Sequence, residues 1–215
     1  ENVGIKSPLI HNITNYVTVN DCANILLACG ASPIMADDLE EVEDITSICC
    51  GLNINIGTLN KNTIPSMFVA GKKSNELNHP VLLDPVGAGA SKLRTDTAKE
   101  LIEKVKFSVI RGNLSEIKSL ALGSSNTRGV DSVEYINEEN LDTVIDFAKD
   151  FALKNSAITV ITSVVDIVTD GKTAYCVYNG DKIMSRITGS GCQLSAMMAA
   201  YISANPENIL EASLA

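Results

Sequence analysis

The residues Val81-Leu82-Leu83-Asp84-Pro85, the segment Thr95–Val105 and the residues Phe107-Ser108-Val109-Ile110-Arg111-Gly112 decide the fold. Val81 to Leu83 is a short apolar run stopped by Asp84-Pro85, which reads as a buried strand. Thr95 to Val105 reads as a helix, and Phe107 to Ile110 as a second strand ending at Arg111-Gly112. Strand, helix and strand in succession form a crossover unit, whose strands lie parallel in one sheet.

The same alternation extends both ways. Upstream, strands are expected at Pro8–Asn12, Ser32–Ala36 and Leu52–Ile56, and helices at Val17–Cys29, Leu39–Cys50 and Asn62–Leu77. Val17, Asn24, Leu27 and Ala28 recur at helical spacing, and Gly30 follows as a cap. Pro65 falls in the first turn of its helix, where a missing N–H is tolerated. Downstream, Asn113–Leu122 and Glu138–Lys154 read as helices around a polar, irregular segment, Gly123–Asn137. Three closely spaced strands follow at Ile158–Ile161, Asp166–Val168 and Thr173–Val177, then helices at Cys192–Ala204 and from Glu207. The expected class is α/β, one domain over residues 1–215, with a mostly parallel sheet and an antiparallel edge.

Composition narrows the function. Of 215 residues, 45% are hydrophobic and 20% charged, enough to bury a core without disulfides. The net charge is −9, and no Lys/Arg run exceeds Lys72-Lys73, which argues against a nucleic-acid or anionic-membrane surface. No apolar run approaches the roughly 20 residues of a membrane span. The six cysteines include no Cys-x-x-Cys pair and there are only two His, so a structural zinc site is not expected. Reduced thiols and a cytoplasmic location are the expectation. The chain opens at Glu1 without an initiator Met, so N-terminal residues are expected to be missing.

In an open α/β sheet, ligands bind beyond the carboxyl ends of the strands. The residues there are polar and glycine-rich. Thr188-Gly189-Ser190-Gly191-Cys192-Gln193 precedes a helix, whose start carries about half a positive charge. Backbone N–H groups of such a loop can converge on a transferring phosphoryl group; the plain alternative is a glycine turn capping a helix. Asp84 and Glu116 can together hold Mg²⁺, although Glu116 also suits a capping box with Asn113. Arg111 can neutralise phosphate or pair with Asp84. Gly171-Lys172-Thr173 lacks the remainder of a P-loop and reads as a hairpin turn, and Gly189-Ser190-Gly191 lacks the third glycine of a dinucleotide site.

Asn113-Leu114-Ser115-Glu116 resembles the Asn-x-x-Glu metal motif of ribokinase-like kinases, three-layer αβα sandwiches. Gly189-Ser190-Gly191-Cys192 resembles their Gly-x-Gly-Asp anion hole, with Cys for Asp. Within that superfamily four stretches are similar to the hydroxyethylthiazole kinase family: His11-Asn12 through Asn24, Gly30 through Ala36, Asp84-Pro85-Val86-Gly87-Ala88-Gly89, and Arg111-Gly112-Asn113 to Glu116. The resemblance implies a cytoplasmic, Mg²⁺-dependent enzyme of thiamine salvage that uses ATP to phosphorylate 4-methyl-5-(2-hydroxyethyl)thiazole. It implies a homotrimer with active sites between subunits. By motif, Asn15, Val17, Met35, Gly57 and Thr58 would line the thiazole pocket, completed by Gly189 and Cys192 of an adjacent subunit. Ser190 and Gly191 would share the anion hole, Asp84 and Glu116 the metal, and Arg111 and Thr162 the ATP phosphates.

Met35 would be a soft wall for a sulfur heterocycle, or simply core filler. Asn15 would bond a ring nitrogen or hydroxyl, or form a turn. Cys192 is expected to orient the alcohol or act as a weak base, because phosphoryl transfer asks more of positioning than of a base. Departures from the family pattern are Ser190 in the glycine loop, Ser163-Val164 after Thr162, and a long Ser124–Glu134 loop. The resemblance also implies helices beyond Ala215 that cover adenine. The alternatives are a ribokinase-like kinase of another small alcohol, a cysteine hydrolase using Cys192, or a non-catalytic trimeric binding protein.

Overall fold

A computed structural model describes residues 1–121 and 136–215. Eight strands form one sheet: β1 (Leu9–Ile13), β2 (Ser32–Ile34), β3 (Gly51–Asn55), β4 (Val81–Asp84), β5 (Val109–Asn113), β6 (Ile158–Thr162), β7 (Asp166–Thr169) and β8 (Ala174–Val177). Their order is β2-β1-β3-β4-β5-β6-β7-β8. Pairing is parallel from β2 to β6 and antiparallel from β6 to β8, the mixed sheet expected from the alternation. Gly171, with φ of 91°, turns the chain between β7 and β8, so Gly171-Lys172-Thr173 is a hairpin and not a phosphate loop.

The helices are α1 (Asn2–Lys6), α2 (Val19–Ala28), α3 (Val42–Ile48), α4 (Thr63–Glu76), α5 (Lys92–Lys104), α6 (Leu114–Ala121), α7 (Leu141–Asn155), α8 (Ser190–Ala204) and α9 (Ile209–Ala212). Helix α1 escapes sequence reading because five residues are too few to show a period. The polar segment expected as a loop at Gly123–Asn137, with the long Ser124–Glu134 stretch, lies almost wholly outside the described residues. Ser91 caps α5 by accepting a hydrogen bond from Arg94 N. No helix of the described residues is long and apolar enough to cross a membrane.

Two apolar cores flank the sheet. Ile13, Ile54, Ile56, Val81, Leu83, Ile110 and Ile161 face the layer of α3 to α7. Ile10, Leu82, Val109 and Val160 face α2 and α8. Strand side chains alternate between faces. Asn12, Asn53, Asn55, Asp84 and Arg111 therefore share the α8 side, and all are buried. Register sets Asn55 beside Asp84, and Asn12 beside Asn53. A sheet with ordinary apolar cores thus carries a polar row beneath the start of α8.

Candidate active site

Asp84 is the most constrained of these groups. It ends β4, is wholly buried, and its Oδ2 accepts from Asn55 Nδ2 (2.9 Å) and Ser195 Oγ (2.8 Å). Arg111 Nη1 lies 3.6 Å from the same oxygen, while Oδ1 is buried without a partner. Burial, with Glu116's charge adding, pushes the Asp84 carboxyl up to about 6 despite Arg111, Ser195 and Asn55. Arg111 continues the row to β6, donating from Nη2 to Thr162 Oγ1 at 2.7 Å. Asp166, in the next strand, accepts from Ser163 N and feels the Arg111 charge.

Glu116 serves two ends. Its Oε2 accepts from Asn113 N (2.8 Å) while Asn113 Oδ1 accepts from Glu116 N (2.9 Å), so the capping box is present. Its Oε1 accepts from Gly87 N (2.8 Å), which ties α6 to the loop after Asp84. Among the described residues no three His, Cys, Asp or Glu gather as a metal chelate.

The glycine loop lies over this row. Gly189 has φ of 75°, a left-handed turn favoured by glycine, and gives no side-chain cap to α8. Gln193 N–H bonds back to Gly189 O, so the preceding N–H groups project from the helix start. A Cβ at Gly191 would sit 2.7 Å from Arg111 Nη1. Only a glycine lets the guanidinium lie so close beneath the loop.

Cys192 is buried in the first turn of α8, and its Sγ accepts from Asn15 Nδ2 at 3.2 Å. Asn15 also contacts Gly57, and Thr58 Oγ1 accepts from Tyr16 N (3.2 Å). Val17 and Met35, being apolar, take no part in these bonds. Val17 is 56% exposed ahead of α2, and Met35 is half-buried on the α8-side core. Asn15 and Cys192 meet within one chain, and Gly189 packs on Thr18 of that chain.

The two histidines are outside this chemistry. His11 is fully buried on the other face, with Nε2 against Ala36 O (2.8 Å) and Nδ1 against Thr46 Oγ1 (3.0 Å). Burial lowers its basicity. Sequence reading overlooked Asn55 and Ser195. The signals were present: Leu52-Asn53-Ile54-Asn55-Ile56 puts amides at every second position of a buried strand, and Ser195 lies one turn beyond Cys192.

The sheet order and the glycine loop above Asp84 belong to the ribokinase-like class. A pyridoxal kinase of Bacillus subtilis, solved with ADP, shares this fold at a TM-score of 0.70 and 18% identity, over 96% of this chain and 87% of its own. The hydroxyethylthiazole kinase family matches along residues 1–215. A hydroxyethylthiazole kinase of Clostridium acetobutylicum is 65% identical over 217 residues, covering 100% of this chain and 80% of that protein. The solved structure of one from Pyrococcus horikoshii superposes at a TM-score of 0.86 with 35% identity, over 99% of this chain and 78% of its own. The chain belongs to the hydroxyethylthiazole kinase family.

Proposed function

We propose that the protein transfers the γ-phosphoryl group of ATP to the hydroxyl of 4-methyl-5-(2-hydroxyethyl)thiazole, a step of thiamine salvage. The observation that supports this best is the junction of two half-sites at the start of α8. Cys192 meets Asn15 on one side, and Gly191 lies on Arg111 on the other.

Asn15, Gly57 and Thr58 form the polar end of the thiazole pocket, with Val17 and Met35 as apolar walls. The projecting N–H groups of Ser190, Gly191 and Cys192 meet the transferring phosphoryl group, where charge develops. Arg111, steadied by Thr162, neutralises phosphate oxygens. Cys192 holds the alcohol oxygen in line and accepts its proton weakly, or leaves it to the product phosphate. A loose transition state places little demand on a base.

The donor set fits Mg²⁺ held mainly by phosphate and water. Asp84 Oδ1 is a free buried acceptor, and each Glu116 oxygen retains a lone pair beyond its single N–H. When bound, the ion would offset phosphate charge. A homotrimer suits the exposed Val17, Leu27 and Ile48 around α2 and α3. We place the enzyme in the cytoplasm, where ATP is abundant and its free cysteines stay reduced.

A coupled assay of ATP consumption, with and without the thiazole alcohol and Mg²⁺, tests the reading. Turnover should require both. ATP loss that needs neither would overturn it.

A further inference from the structure

The thiol that faces the alcohol and the carboxylate that faces the phosphates lie on different elements, α8 and β4. Two side chains in series, Asn15 and then Asn55, link the thiol to the carboxylate. Asn55 is 1% exposed at the end of β3, and both ends of its amide are used. Its Oδ1 accepts from Gly57 N (2.9 Å) and from Asn15 Nδ2 (3.0 Å), and its Nδ2 donates to Asp84 Oδ2 (2.9 Å).

The direction of these bonds is fixed. A peptide N–H can only donate, so Gly57 N requires an oxygen at the near end of Asn55, which turns the Nδ2 toward Asp84. Thr18 N does the same for Asn15 by donating to its Oδ1 (3.2 Å), and Thr18 Oγ1 adds a second bond (3.1 Å). Asn15 Nδ2 must then supply both Asn55 Oδ1 and Cys192 Sγ. Sulfur is thereby an acceptor from the protein. At the far end, Asn55 and Ser195 saturate one face of Asp84 through Oδ2, which leaves Oδ1 as the oxygen presented.

We propose that Asn55 is a positioning residue that aligns the alcohol half of the site with the carboxylate half. The proposal rests on the kinase reading above. Asn55 touches neither reacting atom; it acts through Asn15 on one side and Asp84 on the other. Ser195 makes only the second of these connections, so it is the natural control.

The test compares wild type, Asn55→Ala, Asn55→Asp and Ser195→Ala at pH 8. Affinity for the thiazole alcohol is measured by calorimetry without ATP or Mg²⁺, and kcat is measured with all substrates saturating. Asn55→Asp keeps the oxygen that Asn15 and Gly57 use but turns a second oxygen on Asp84. Its alcohol affinity should stay within about twofold of wild type while kcat falls about 10- to 100-fold, the usual cost of losing an outer partner of a site carboxylate. Ser195→Ala should follow the same split more mildly. Asn55→Ala should lose kcat and also bind the alcohol about tenfold more weakly, because Asn15 loses its support.

Unchanged alcohol affinity in a folded Asn55→Ala would overturn the proposal, as would Asn55→Asp losing affinity in proportion to kcat. Should Asn55→Ala fail to fold in thermal melts, the isosteric Asn55→Asp decides by its split alone. A wild-type protein that binds the alcohol without ATP turnover would sink the kinase reading and leave the Asn15 arm to be judged by calorimetry.

Discussion

Asp84 is an ionisable group held where ionisation is costly. Its carboxyl rests near 6 in the fold and about 3.9 in an open chain. Folding therefore takes up a proton between those values, and stability from this group is highest below the lower one and declines as pH rises toward 6. The proposed metal role runs the other way, since it needs the charged form. The kcat/KM for ATP should hold level above pH 6 and fall about tenfold per unit below it. A profile flat from pH 8 to 5 would show that Asp84 is not required ionised. At Gly191 the expectation is steric. Gly191→Ala places a Cβ against Arg111 Nη1, whose partner Nη2 is committed to Thr162, so the guanidinium must shift. Steady-state kinetics should show KM for ATP rising and kcat/KM dropping by about tenfold or more, a charge-assisted contact being worth roughly 1.5–3 kcal/mol. An unaltered KM for ATP would mean that Arg111 does not bind phosphate.

At the scale of elements, β1 and α3 depend on His11. A buried base with lowered affinity for protons stays neutral in the fold while the unfolded chain takes one up below about 6.5. Stability from this group is thus complete above that pH and is lost as pH falls. Replacing His11 by Asn should lower the melting temperature near neutrality yet make it less acid-sensitive between pH 6.5 and 5. Parallel shifts of wild type and variant would contradict that assignment. Apolar runs closed by Asp84-Pro85 and Arg111-Gly112 made β4 and β5 readable, because burial on both faces leaves no other use for such runs. The glycine loop and Asp84 were readable from their place at or beyond strand ends, whereas Arg111, expected there too, lies within β5, which runs on to Asn113. Asn55 and Ser195 were not, because a polar residue in a strand or helix usually signals an exposed face. Only the packing of α8 against the sheet makes those positions interior. Glu116 had two readings, cap and site, and its two oxygens serve the helix and the loop at once.

At the scale of the molecule, the exposed apolar residues Tyr16, Val17, Leu27, Leu39 and Ile48 belong to α2, α3 and their adjoining turns. A trimer that covers them should scatter light as three copies of a 22.9 kDa chain, and a Leu27→Asp change should shift that mass toward one copy. A monomeric wild type would remove the assembly from the proposal. The one-way bonding from Thr18 to Asp84 has a wider consequence. Neither amide can turn over without setting donor against donor at a peptide N–H, so the row must hold or release as a unit. The rotational freedom of these side chains is surrendered when the chain folds and not when ligand arrives. The proposed site is therefore preorganised: the alcohol would enter a cradle already set, with little entropy left to lose in the protein.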